Sequence, residues 1–191
     1  MSAWLGLMGG TFDPIHHGHL VAAEEARYAF ELERVLFIPA GHPWQKKRHV
    51  APAEERYEMA LLATRDNDAF EVSRIEIDRD GPTYTVDTLH SLRKEQPDAQ
   101  LFFITGADAI LEILSWKDPD EALSLATFVA VTRPGYELER LPSRDIEVLE
   151  IPALAISSTD IRRRVAAGRP IRYLVPDAVA AHIADRGLYR A

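Results

Sequence analysis

Gly9-Gly10-Thr11-Phe12-Asp13-Pro14-Ile15-His16-His17-Gly18-His19 is the stretch on which the reading of this chain turns. It follows a short apolar run at residues 3–8 that reads as a strand. It precedes a helical pattern that begins near Gly18 and continues through residues 20–32 (LVAAEEARYAFEL). Gly9 and Gly10 carry no Cβ, so backbone N–H groups there can approach an anion closely. The helix adds the positive end of its dipole to the same place. His16 and His19, three apart around Gly18, can face one crevice. A Gly-Gly pair after a strand is often only a turn, and a loop histidine is usually solvated or packed. Three of the chain's seven histidines within four positions is a denser cluster than that reading expects. A metal site would need an Asp/Glu-rich cluster at ligand spacing or cysteines, and neither is present. Imidazoles placed on a phosphate fit the neighbouring glycines better.

Outward from this turn, apolar runs alternate with helix-like segments. Strand-like runs fall at 35–38, 70–77, 101–104, 128–131 and 146–151. Helix-like segments fall at 53–63, 85–94, 108–114, 119–125, 158–167 and 176–186. The 101–104 run (LFFI) is apolar throughout, as a strand buried on both faces is. This order predicts an α/β fold. The expected architecture is a Rossmann-like, doubly wound parallel sheet with helices on both faces and a small helical C-terminal portion. In such sheets ligands sit at the carboxyl ends of the strands. No repeat or composition break divides the chain, so 1–191 reads as a single domain. The segments at 40–52 and 134–144, rich in Pro, Gly and charge, are expected to be mobile.

Composition narrows the class. With 191 residues, 47% hydrophobic and 27% charged, the chain reads as a globule and not as a disordered or fibrous polymer. The absence of cysteine excludes a disulfide framework, thiolate catalysis and sulfur-bound zinc. The net charge of 22 − 30 = −8 opposes general nucleic-acid binding. No signal-like N-terminus and no apolar run near the roughly 18 residues of a membrane span are visible, so the expected location is the cytoplasm, with no membrane partner. A homo-oligomer is compatible with the sequence.

A second anion site is readable near the other end. Ile156-Ser157-Ser158-Thr159-Asp160-Ile161-Arg162 precedes a helix. Ser158 and Thr159 are natural caps whose hydroxyls and N–H groups can meet an anion. Arg162, one turn later, can fork onto phosphate oxygens. The plain alternative is a capped helix with a solvated Arg162-Arg163-Arg164 run.

GGTFDPIHHGH resembles the nucleotidyltransferase signature GGTFDPxHxGH, and ISSTDIR resembles the ISSTxIR motif of the same superfamily. Neither the Walker loop nor the dinucleotide fingerprint is present. The two motifs span nearly the whole chain. The resemblance implies that ATP is bound by Gly9, Gly10, Thr11, Phe12, His16 and His19 from the first motif. From the second it implies Ser157, Ser158, Thr159 and Arg162.

The middle of the chain must select the second substrate. Gly81-Pro82-Thr83-Tyr84-Thr85-Val86-Asp87-Thr88-Leu89 opens a helix whose N–H groups can bind a carboxylate, with Thr85 offering a hydroxyl. Capping by Thr83 or Thr85 is the alternative. In Thr105-Gly106-Ala107-Asp108, Asp108 can accept from ribose hydroxyls or simply cap a helix. Trp116 can stack on a flat ring or simply pack. GPTYTVDTL, TGAD and SW together resemble bacterial nicotinate-mononucleotide adenylyltransferases. That resemblance implies a pyridine ring on Trp116, its carboxylate held near Tyr84 and Thr85, and a mononucleotide site that includes Thr83, Gly106 and Asp108. One departure is visible: Pro43-Trp44-Gln45-Lys46 stands where the family carries a PPHK-like segment, with glutamine in place of histidine.

The expected activity is transfer of the adenylyl group of ATP to nicotinate mononucleotide, giving nicotinate adenine dinucleotide and pyrophosphate. The attacking phosphate is already an anion. The protein therefore has to align two polyanions and stabilise developing charge. His16, His19, Lys46 and Arg162 are the expected catalytic residues. Mg²⁺ is expected to arrive with ATP and not to sit in a protein cage. Nicotinamide mononucleotide or pantetheine phosphate as acceptor remain open, as does a catalytically silent nucleotide-binding regulator.

Overall fold

A computed structural model describes residues 3–43, 50–135, 143 and 146–190. Lys46 and its neighbours Trp44 and Gln45 lie outside the described residues, as does most of 134–144. The strands are β1 (Trp4–Gly10), β2 (Arg34–Pro39), β3 (Phe70–Val72), β4 (Gln100–Gly106), β5 (Thr127–Thr132) and β6 (Ile146–Glu150). They form one sheet in the order β3-β2-β1-β4-β5-β6, and every neighbouring pair is parallel. The helices are α1 (His17–Ala29), α2 (Ala53–Thr64), α3 (Thr85–Glu95), α4 (Ala107–Leu111), α5 (Pro119–Leu125), α6 (Ser158–Ala166) and α7 (Asp177–Asp185). The expected Rossmann-like arrangement is thus observed, with α6 and α7 as its helical C-terminal portion. No helix among the described residues is long and apolar enough to cross a membrane.

Alternation along the strands builds two cores. Side chains on a strand point to opposite faces in turn. Val35, Phe37, Phe102, Ile104 and Val129 pack on one face, against Ala22, Ala23 and Ala26 of α1, Met59 of α2, Ile161 of α6 and Val179 of α7. Leu5, Leu7, Leu36, Ile38, Leu101, Phe103 and Phe128 pack on the other, against Val86, Leu89 and Leu92 of α3 and Ile110 of α4. The three alanines keep α1 close to the sheet and so bring its first turn over the end of β1.

Two segments differ from the sequence reading. Only Phe70–Val72 of the 70–77 run pairs as a strand. Beyond it the chain turns. Arg74 is drawn to Glu54 and Asp78, and the Glu76 carboxylate accepts the Thr88 hydroxyl at 2.7 Å. These polar attachments override the alternation. The expected 108–114 helix is split into α4 and a 3-10 turn at Ile113–Ser115.

One buried arginine fixes the loops at the carboxyl edge of the sheet. Arg56, on α2, is 1% exposed. Its Nε donates to the Ala51 carbonyl at 2.9 Å, and its two terminal nitrogens donate to the carbonyls of Thr11 (2.8 Å) and Gly41 (3.1 Å). The β1–α1 loop and both ends of the β2–α2 loop are thereby tied to one group. Arg56→Leu leaves these carbonyls without that donor, and we expect a loss of about 2–4 kcal/mol of stability. A shift of the urea unfolding midpoint measures it, and an unshifted midpoint would remove this role.

Candidate active site

The strand order reverses direction at β1 and β4, and there the carboxyl ends open into a crevice, as open parallel sheets require. Two cavities occupy it. The larger, about 750 Å³, is lined by both sequence motifs: Gly9, Thr11, Phe12, His16 and His19 from the first, and Ser157, Ser158 and Thr159 from the second. The smaller, about 210 Å³, is lined by Gly10, Thr83, Tyr84, Thr85 and Trp116. Gly9, Thr11 and Thr105 line both. Gly106 and Asp108, expected with the mononucleotide, line the larger cavity.

The first motif is shaped by its own packing. Phe12 has φ 49°, in the left-handed region that L side chains rarely adopt, and its ring is buried. It packs edge-on to His19 and tilts against Phe37. A Cβ on Gly10 would stand 2.8 Å from the Phe12 ring, and one on Gly18 would stand 3.0 Å from His16 Nδ1. These two glycines therefore admit the rings of their own loop. The His16 and His19 rings stack with centroids 3.7 Å apart.

The chemistry of the pair follows from its surroundings. Burial, reinforced by neighbouring His17, brings His16 down to about 4. Burial and then the adjacent His16 push His19 well below the ordinary histidine value. Both are neutral at pH 7. His19 Nδ1 accepts the His16 backbone N–H at 3.2 Å, so the proton of the neutral ring resides on Nε2. His19 is then a hydrogen-bond donor at its outer nitrogen. His16 Nδ1 is buried and has no hydrogen-bond partner among the described residues.

The second motif meets the first directly. Ser157, and not Ser158 or Thr159, is the N-cap of α6: its hydroxyl accepts the Asp160 N–H at 3.1 Å. The Ser158 hydroxyl donates to the Pro14 carbonyl at 2.9 Å. Arg162 donates to the Asp13 carbonyl at 2.6 Å and to Thr159 Oγ1 at 3.0 Å, and lies 3.7 Å from the Asp13 carboxylate. The guanidinium is thus anchored three residues before His16, bonded to Asp13 and Thr159, which line the larger cavity; Arg162 itself is not among the lining residues.

In the smaller cavity, neither Thr83 nor Thr85 caps α3. Tyr84 is its N-cap residue, and its side chain makes no capping hydrogen bond. Trp116 meets Phe103 and Phe128 edge-on, at 6.1 and 6.5 Å, and lines the cavity. Lys117 lies 4.9 Å above the Tyr84 ring and bonds Asp87. Burial raises the Glu76 carboxyl in the same wall. Among the described residues no cluster of His, Asp or Glu is arranged to hold a metal ion.

Sequence reasoning passed over Asp13, Arg56, Glu76, Arg133, Lys117 and Tyr189. Lys117 directly follows Trp116, and that position was the available signal; Arg133, which lines the larger cavity after the end of β5, stands beside no motif. Arg56 and Tyr189 offered none, because an arginine in a helix and a tyrosine near a chain end are ordinarily solvated.

Fold and site together define a nucleotidyltransferase. The cytidylyltransferase-like family matches residues 7–164, and the chain belongs to it. Among its relatives is a probable nicotinate-nucleotide adenylyltransferase of Corynebacterium kroppenstedtii, 62% identical over 97% of this chain and 90% of the relative. Another, of the same description, is from Streptomyces coelicolor, 60% identical over 96% of this chain and 99% of the relative. At this identity and coverage the chain is a member of the nicotinate-nucleotide adenylyltransferase family. The fold is shared with Plasmodium falciparum nicotinic acid mononucleotide adenylyltransferase, solved in complex with NaAD. That structure has a TM-score of 0.82 and 18% identity, covering 98% of this chain and 97% of that one.

The depressed histidines give a pH dependence. The unfolded chain takes up protons near pH 6.5, whereas folded His16 resists them down to about 4. The contribution of His16 is therefore complete above about 6.5 and is lost as pH falls towards 4, and His19, lowered by burial, acts in the same direction. We expect the thermal midpoint to drop over that interval, and to drop less in His16→Asn. An equal drop in both proteins would remove the assignment.

Proposed function

We propose that the protein joins ATP and nicotinate mononucleotide, with ATP in the larger cavity and the mononucleotide in the smaller. The observation that carries this reading is the shared wall of Gly9, Thr11 and Thr105, where two bound nucleotides would bring their phosphates together. An oxygen of the mononucleotide phosphate attacks the α-phosphorus of ATP. The bond to the β-phosphate oxygen breaks, pyrophosphate leaves, and nicotinate adenine dinucleotide forms. The nucleophile is already ionised, so no general base is needed. Catalysis is alignment plus stabilisation of developing charge.

His19 donates from Nε2 to phosphate oxygens, with His16 beside it. Arg162 supplies positive charge from beside the cavity, where it is bonded to Asp13 and Thr159. Lys46, outside the described residues, is the further cation of this proposal. Backbone amides at Gly9, Gly10, Thr11 and Phe12, and the α6 start at Ser157, Ser158 and Thr159, complete the ATP contacts. Mg²⁺ enters with the triphosphate. The nicotinate carboxylate sits at the uncapped start of α3, beside Thr83, Tyr84 and Thr85, where negative charge is favoured by about 0.3–1 kcal/mol or more. Trp116 stacks on the pyridine ring. Gly106 and Asp108, at the β4–α4 turn, lie where the two nucleotides meet and reach ribose. In this reading residues 1–191 act as one cytoplasmic nucleotidyltransferase domain, with neither nucleic acid nor membrane as partner.

Pyrophosphate release from ATP is expected to be faster with nicotinate mononucleotide than with nicotinamide mononucleotide. Equal or reversed rates would overturn the acid preference. His19→Ala is expected to lower turnover by about 10²–10³, the scale for a lost preorganised donor. A near-normal steady-state rate would refute the role. Trp116→Ala is expected to weaken mononucleotide binding and to leave ATP binding nearly unchanged. Calorimetry showing equal losses would refute the stacking.

A further inference from the structure

The Asp13 carboxylate is 1% exposed and belongs to the first motif, yet its partners come from distant parts of the chain. Its Oδ1 accepts the Ala51 N–H at 3.2 Å and the Tyr189 hydroxyl at 2.8 Å. Its Oδ2 lies 3.7 Å from Arg162, whose same nitrogen donates to the Asp13 carbonyl. Arg162 is therefore held by one residue through both main chain and side chain. The side chain of that residue is oriented by a tyrosine 176 positions away.

The Tyr189 hydroxyl does more than anchor the chain end. Leu188 and the Tyr189 ring already pack on the core that contains Phe12, Ile15 and Val179. The hydroxyl is spent on a buried carboxylate inside the phosphate loop. Burial, with Asp13 next to it, pushes the phenol far above its ordinary value, so it remains a donor over the working pH range. A buried carboxylate that loses one of its donors rotates or recruits another, and Arg162 is the cation within its reach. Recruited fully to the Asp13 carboxylate, Arg162 would be drawn off Thr159, which lines the cavity.

We propose that Tyr189 is a positioning residue for adenylyl transfer: its hydroxyl fixes the Asp13 carboxylate, and Asp13 in turn sets the guanidinium of Arg162 at the ATP phosphates. The proposal rests on the reading of Arg162 as a phosphate ligand given above.

The test is a double-mutant cycle of Tyr189→Phe and Arg162→Lys, read by steady-state kinetics and by calorimetric titration with ATP. Tyr189→Phe is expected to lower kcat about tenfold and to weaken ATP several-fold, with the KM for nicotinate mononucleotide within about twofold of the parent. In the Arg162→Lys background the same change is expected to cost less than about twofold in either readout, because contacting residues couple. Asp13→Asn, which keeps an acceptor and the side-chain shape, is expected to reproduce the kcat loss and serves if Tyr189→Phe does not fold. Independent, multiplying effects would overturn the proposal, as would a lowered thermal midpoint with unchanged kinetics. Failure of the functional reading looks different. The parent protein would release no pyrophosphate with nicotinate mononucleotide, while the Tyr189–Arg162 coupling in ATP affinity would still be measurable.

Discussion

The contact between Arg162 and Asp13 is the constraint from which the rest of the site follows. It joins a loop at the start of the chain to a helix near its end, across 149 positions. It is not alone. Ser158 donates to Pro14, and the His17 N–H donates to the Leu174 carbonyl. Together these bonds clasp the β1–α1 turn between the sheet and the C-terminal helices. Without the clasp, His16 and His19 would stand on an open loop. With it, they line an open crevice together with the start of α6.

The character of that crevice is neutral donation beside a fixed charge. Burial keeps both imidazoles uncharged, and the His16 N–H assigns the proton of His19 to Nε2. Neutral donors can approach a polyanion without repelling one another, which two stacked imidazolium rings could not do. The formal positive charge comes from the guanidinium, which does not titrate, so binding geometry is decoupled from protonation near neutrality.

The layered fold was legible because apolar runs of strand length alternated with helical patterns, and each strand served two cores. The site was legible as two motifs, since glycine, histidine and hydroxyl residues cluster after strands. The physical reason for the glycines was not. Gly10 and Gly18 make room for Phe12 and His16, side chains of the same loop, and no periodicity reveals that. The 70–77 run was misread because Arg74 finds a carboxylate on α2 and Glu76 a hydroxyl on α3, and such tertiary polar contacts leave no local trace. Asp13 sat in full view inside the motif. Its importance arises from Ala51, Arg162 and Tyr189, which only folding brings to it.

The bracing of Trp116 carries a consequence for how a flat guest is received. The indole leans edge-on against Phe103 and Phe128, which are themselves locked into the sheet. The plane of the platform is settled before any visitor arrives, so little rotational freedom remains to be surrendered on docking. Where Trp116 stacks on the pyridine ring as proposed, an aromatic disc is received at small entropic cost, because Phe103 and Phe128 have already oriented the indole.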